Sequence, residues 1–129
     1  MTIVLFPNCP VGALKHVTIQ IAEAMQTTIQ ELYGISLQIK YPNDLLLQGK
    51  KIGGILTQAS SLQNTVNELF IGIGFNVNQE EFSDAIGQEA TSLKKEFGQS
   101  YEREEIVQRF IENLENSLKE SNILTKARR

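Results

Sequence analysis

Apolar residues recur at three- and four-residue steps from Leu14 through Val17, Ile21, Met25 and Ile29 to Leu32, then at every second position through Ile35, Leu37 and Ile39. Gly34 separates the two patterns. The first spacing predicts an amphipathic helix with a glycine stop, and the second a strand with one face covered. A helix stripe and a sheet face can each bury the other, so the chain is expected to form an α+β layer. Met25 and its stripe read as core packing. His16 lies beside the stripe with no second ligand near it and reads as a partly exposed helix residue rather than a catalytic base.

Most of the remaining pattern supplies strands. Thr2 to Phe6 is β-branched and aromatic, reads as a core strand ended by Pro7 to Pro10, and starts so abruptly that an upstream neighbour is expected. Lys40 is delivered to a turn at Pro42-Asn43-Asp44, because proline fixes φ and the short polar side chains bond nearby backbone. Leu45 to Leu47 is a short apolar run, Gln48-Gly49-Lys50 a hairpin connection, and Lys51 begins a returning strand with Ile52, Ile55 and Leu56. Ser60 to Asn67 is polar enough to predict a loop. Leu69, Ile71, Ile73 and Phe75 alternate in the next strand, with Gly72 and Gly74 on its other face.

From Gln79 to Ser100 the pattern is irregular: Glu80, Glu81, Asp84 and Glu89 read as solvated, while Phe82, Ile86, Leu93 and Phe97 tuck a long connection against the core. Ile106, Val107, Phe110, Ile111, Leu114 and Leu118 predict a second helix, with Ser100 as N-cap and Glu102, Glu104 and Glu105 near its N-terminal dipole. Lys126, Arg128 and Arg129 read as a frayed end. No repeat or boundary divides the chain, so a mostly antiparallel sheet with helices packed on it is expected over residues 1–129.

Composition removes several classes of function. The 129 residues are 41% apolar, enough for one core. Twelve basic against 15 acidic residues give no general electrostatic reason to bind nucleic acid or an anionic membrane. Cys9 is the only cysteine, so no internal disulfide can form, and no cysteine cluster or histidine pair offers a metal site. This fits a reducing cytoplasm. Cys9 itself reads as a small thiol rather than a nucleophile. The apolar run Ile3 to Phe6 is too short for a signal peptide or a membrane span.

Lys40, Lys51 and Asp44, beside glycines that admit a ligand, suit a reaction in which negative charge builds on a phosphate or carboxylate. If a carboxylate attacks an α-phosphate, a lysine must offset the repulsion of two anions, and an acidic residue can hold a metal or orient an amine. Gly72 and Gly74 read either as a groove for close approach or as a bend or bulge. A dinucleotide fingerprint is excluded, because Val77 stands at its third glycine and no helix pattern follows.

Lys40-Tyr41-Pro42-Asn43-Asp44, Lys51-Ile52-Gly53-Gly54-Ile55-Leu56 and Gly72-Ile73-Gly74-Phe75-Asn76-Val77-Asn78 together resemble, in order, the motifs of the biotin–protein ligase catalytic domain. Tyr41 replaces the usual tryptophan, and Gln58 stands where glutamate is common. The resemblance implies an incomplete class II synthetase-like α+β domain. It also implies two reaction steps: biotin and ATP give biotinyl-AMP and pyrophosphate with Mg2+, and the acyl group passes to a lysine of a biotin carboxyl carrier domain of a carboxylase. On that reading Lys51 is the key cation, and Asn43 and Asp44 shape the adenylate site, Asp44 also serving the acceptor lysine. Gly54, Gly72 and Gly74 line the biotin pocket, Asn76 lies near the nucleotide, and Lys40 belongs to the binding set.

The family's upstream Gly-Arg-Gly-Arg-type loop, its small C-terminal β-barrel and its N-terminal DNA-binding extension have no counterpart here. Residues 1–129 are therefore expected to be the C-terminal part of a cytoplasmic catalytic domain, partnered by a missing N-terminal half or by a second copy, with no nucleic acid or membrane. One alternative is a catalytically incompetent remnant that binds ligand or carrier. Another is a relative of lipoate ligases or octanoyltransferases, which share the fold.

Overall fold

Strands β1 (Thr2–Leu5), β2 (Cys9–Pro10), β3 (Gln38–Lys40), β4 (Asp44–Leu47), β5 (Lys50–Leu62) and β6 (Thr65–Phe75) form one antiparallel sheet. Its order is β1-β6-β5-β4-β3, with β2 also on β6. The computed structural model describes residues 1–6, 9–41, 43–82 and 89–120. Pro42, Asp84, Ile86 and the terminal Lys126, Arg128 and Arg129, which the sequence assigns to a turn, a connection and a frayed end, lie outside them.

The two-period pattern folds as its spacing requires. Helix α1 (Leu14–Tyr33) ends at Gly34, whose φ of 68° lets its N–H reach the Gln30 carbonyl at 2.9 Å. Val17, Ile21, Met25 and Ile29 on its inner stripe form one core with Ile3, Leu5, Leu45, Leu47, Ile52, Ile55, Leu69 and Ile71 from the sheet. A second long helix, here α3 (Arg103–Glu120), packs on α1, with Phe110, Leu114 and Leu118 all buried. Polar pins fix that seam: Asn113 Nδ2 donates to Thr28 Oγ1 at 3.1 Å and to Glu31 Oε1 at 2.9 Å. The opposite face of the sheet has no helix among the described residues, and Leu56 there is 68% exposed.

Three expectations need correction. Ser60 to Asn67 is not a loop; β5 runs to Leu62, β6 starts at Thr65, and only Gln63 and Asn64 turn, both with positive φ. These polar arms are held by the backbone ladder between the strands, so no apolar alternation marks them. Ser100 is not a helix cap, because α3 begins at Arg103; Glu104 and Glu105 do occupy its first turn. The region between Gln79 and Ser100 also contains a short helix, α2 (Leu93–Phe97), which Ser92 caps by accepting from the Lys95 N–H.

Candidate functional site

The returning strand β5 decides which side chains face the open side of the sheet. Leu45 pairs with Gly53, but Leu46 pairs with Lys51, so β5 carries one residue more than β4 at this point, the buried Ile52. Side chains alternate between faces, and one extra residue reverses the alternation. Lys51 thereby shares the open face with Gly54 instead of pointing toward the core with Gly53 and Ile55. Its Nζ lies 3.3 Å from Asp44 Oδ1, and Asp44 is itself the register partner of Gly54.

An open trough of about 450 Å³ runs over this face, lined by Met1, Asn43, Asp44, Lys51, Gly54, Leu56, Gly72 and Gly74 among others. The glycines form its floor: Gly54 pairs with Gly74, and Leu56 with Gly72. The β5–β6 register is regular there, its one irregularity lying at Ser60 and Ser61, so a bulge does not account for Gly72 and Gly74. A β-carbon on Gly74 would meet no protein atom within 4 Å, and one on Gly72 only ordinary contacts with Leu56. The space above them is open among the described residues. Gly53 is different, since a β-carbon there would sit 2.6 Å from the Gly74 carbonyl oxygen; it is required by the close passage of two strands.

Six of the residues singled out in the sequence, Asn43, Asp44, Lys51, Gly54, Gly72 and Gly74, thus line one trough. Lys40 stands opposite Asp44 across β3 and β4 but is exposed and does not line it. Asn76 is engaged in holding the chain: its N–H donates to the Ile52 carbonyl at 2.8 Å and its Nδ2 to the Thr91 carbonyl at 3.1 Å. Asn78 brackets Tyr101, donating to its carbonyl at 3.0 Å and accepting its N–H at 2.9 Å. Cys9 is buried, and that burial raises its thiol pKa, the reverse of what activates a nucleophile.

Sequence reasoning reads Glu89 as solvated and Leu93 as packed, and misses that the segment from Glu89 to Glu96 grips the cation's backbone. Lys51 N–H donates to the Glu89 carbonyl at 2.8 Å, and its carbonyl accepts from Thr91 N–H at 2.9 Å. The signal available was Ser92 as a cap with Gly98 six residues on, bracketing a helix too short to show a period.

Chemically, the trough offers one flexible cation, one carboxylate and a floor on which three glycines leave the backbone uncovered. The Lys51–Asp44 pair is 43% and 25% exposed and is worth no more than about 1 kcal/mol. Lys51 can therefore exchange Asp44 for an incoming anion at little cost. Among the described residues no group of three metal-ligating side chains occurs, and of those that line the trough Asp44 alone carries a carboxylate. These residues do not fit a metal site made by the protein alone.

The fold is thus an α+β domain with an open, glycine-floored trough on one sheet face, where Lys51 and Asp44 stand side by side. Residues 4–76 match the biotin/lipoate A/B protein ligase family, and the chain belongs to it. It is 37% identical over 113 residues to the bifunctional ligase/repressor BirA of Bacillus subtilis, covering 86% of this chain and 35% of that protein. With the biotin–[acetyl-CoA-carboxylase] ligase of Paracoccus denitrificans it shares 36% identity over 74 residues, 55% of this chain and 31% of that protein. The Aquifex aeolicus biotin protein ligase in complex with biotin and ATP superposes with a TM-score of 0.73 at 29% identity, over 83% of this chain and 44% of that one. The chain spans about a third of the length of these curated relatives. No helix among the described residues is long and apolar enough to cross a membrane.

Proposed function

We propose that the trough is the floor of a biotinyl-adenylate site and that residues 1–129 form part of a cytoplasmic biotin–protein ligase catalytic domain. The observation that carries the reading is the bulge at Ile52, which sets Lys51 over the glycine floor beside Asp44. In the first step an oxygen of the biotin carboxylate attacks the α-phosphorus of ATP, and the bond to the β-phosphate oxygen breaks to release pyrophosphate. Lys51 leaves Asp44 to meet the carboxylate and α-phosphate oxygens, offsetting their repulsion as they approach. Gly54, Gly72 and Gly74 let the ligand lie against the backbone, with Asn43 at the rim. Magnesium enters with the nucleotide phosphates rather than on protein ligands of its own.

In the second step the ε-amine of a lysine on a biotin carboxyl carrier domain attacks the acyl carbon, and AMP departs. Once Lys51 is engaged with phosphate, Asp44 is free to orient that amine and take its proton. Lys40, the register partner of Asp44 outside the trough, adds positive charge to the surface that an anionic ligand approaches. Asn76 acts near the nucleotide through the segment it holds.

Calorimetric titration with biotin, ATP and a non-hydrolysable biotinyl-adenylate analogue tests the proposal. Binding of the analogue in preference to a lipoyl counterpart is expected. Failure of the analogue to bind leaves only a remnant fold, and preference for the lipoyl compound reassigns the substrate.

A further inference from the structure

We propose that Glu96 is a positioning residue for Lys51: its carboxylate ties the residue before Lys51 to the residue that holds the Lys51 carbonyl, and so fixes the bulge that presents the cation. The inference rests on the reading of Lys51 as the group that meets the ligand's anion.

Lys51 lies beyond the end of the β5–β6 pairing, which starts at Gly53 and Phe75. A single parallel bridge to Ala90 takes its place, made by the Glu89 and Thr91 bonds described above. On the side away from β4, the bulge is held by that segment and by the Asn76 N–H on the Ile52 carbonyl. The segment's anchor is Thr91, fully buried, whose hydroxyl donates to Glu96 Oε2 at 2.6 Å. The other carboxylate oxygen, Oε1, accepts from Lys50 Nζ at 3.3 Å, with the Glu96 side chain only 11% exposed.

The contacts close into a ring. Lys50 is joined covalently to Lys51, Lys51 by its carbonyl to Thr91, Thr91 by its hydroxyl to Glu96, and Glu96 by its second oxygen back to Lys50. A carboxylate accepts two such bonds with no proton of its own, and a hydroxyl-to-carboxylate bond shielded from solvent is among the stronger kinds. Helix α2 supplies the rigidity, since its Ser92 cap and Gly98 stop set Glu96 over Thr91. Asn76, donating to the Thr91 carbonyl, braces the same segment from β6. Glu96 touches neither the trough nor Lys51 itself, so it acts through the backbone.

Residue-resolved amide hydrogen exchange on the whole chain, with analogue titration alongside, tests the clamp. Glu96→Ala and Thr91→Val are expected to speed exchange at the Lys51 amide by about tenfold or more while the Leu69 and Ile71 amides in central β6 keep their protection. Thr91→Ser, which keeps the hydroxyl, is expected to restore it, and Lys50→Met, which cuts the more exposed arm alone, to fall between. Analogue affinity is expected to drop about tenfold in the first two variants, with little change in Thr91→Ser. Unchanged exchange at Lys51 in Glu96→Ala overturns the proposal. So does a uniform rise at all three amides, which marks Glu96 as a general stabiliser. If the exchange pattern holds but the wild type binds no analogue, the adenylate reading fails and the clamp stands.

Discussion

Lys51 and Asp44 meet at 3.3 Å on the open face because β5 carries one residue more than β4 beside them. In a regular ladder, with Ile52 paired instead of bulged, Lys51 would face the core side with Gly53 and Ile55. The cation's availability is a property of strand register rather than of the lysine alone.

Removing the cation should separate binding from folding. Lys51→Ala is expected to weaken binding of a biotinyl-adenylate analogue by roughly ten- to a hundredfold, the worth of a charge-assisted hydrogen bond. Its stability should change by less than about 1 kcal/mol, since the pair with Asp44 is partly exposed. Calorimetry and urea unfolding of the same variant check both halves.

The glycines should divide into two kinds. Gly53→Ala drives a β-carbon onto the Gly74 carbonyl and is expected to cost about 1–3 kcal/mol of stability. At Gly74 a β-carbon meets no protein atom within 4 Å, so thermal unfolding of Gly74→Ala should stay near that of the parent while analogue binding weakens. Equal destabilisation by the two would show that the floor is packed for the protein and not for a ligand.

How much of this is legible in the sequence follows from what each element depends on. α1 with Gly34, the Gln48-Gly49 turn and the Leu69–Phe75 alternation each leave a local mark, and all are found. Family membership is equally readable, because three motifs stand in order. The bulge at Ile52 is not, since it depends on which residue of β4 faces which of β5 and no single strand records that. Gln58 to Leu62 leave no mark because the ladder, not side-chain burial, makes them a strand. Thr91 and Glu96 read as ordinary polar residues until the fold brings Lys50 to them.

Acid should weaken the clamp in a defined window. The Thr91 hydroxyl, opposed by burial and assisted by Lys50 and Lys95, holds the Glu96 carboxyl below its ordinary value of 4.5. A depressed carboxylate contributes stability that is fully present above that value and is lost as pH falls through the lower folded one. Thermal unfolding of wild type and Glu96→Gln from neutral to acid pH should show two curves that converge as pH falls below 4.5 and through the lowered folded value.

Strand β1 pairs only with β6 among the described residues, which leaves it at the end of the sheet. Sheet edges recruit strands, so the chain is expected to self-associate through β1. Sedimentation across a wide concentration range checks this, and a monomer throughout would count against it.

The account stands on Lys51 and the glycine floor forming one ligand site. The most direct measurement is a map of backbone amide chemical shifts during titration with a non-hydrolysable biotinyl-adenylate analogue. The largest changes are predicted at Lys51, Gly54, Gly72 and Gly74, with secondary ones at Thr91. Saturable binding that leaves those four amides unmoved, or no binding at all, would contradict it.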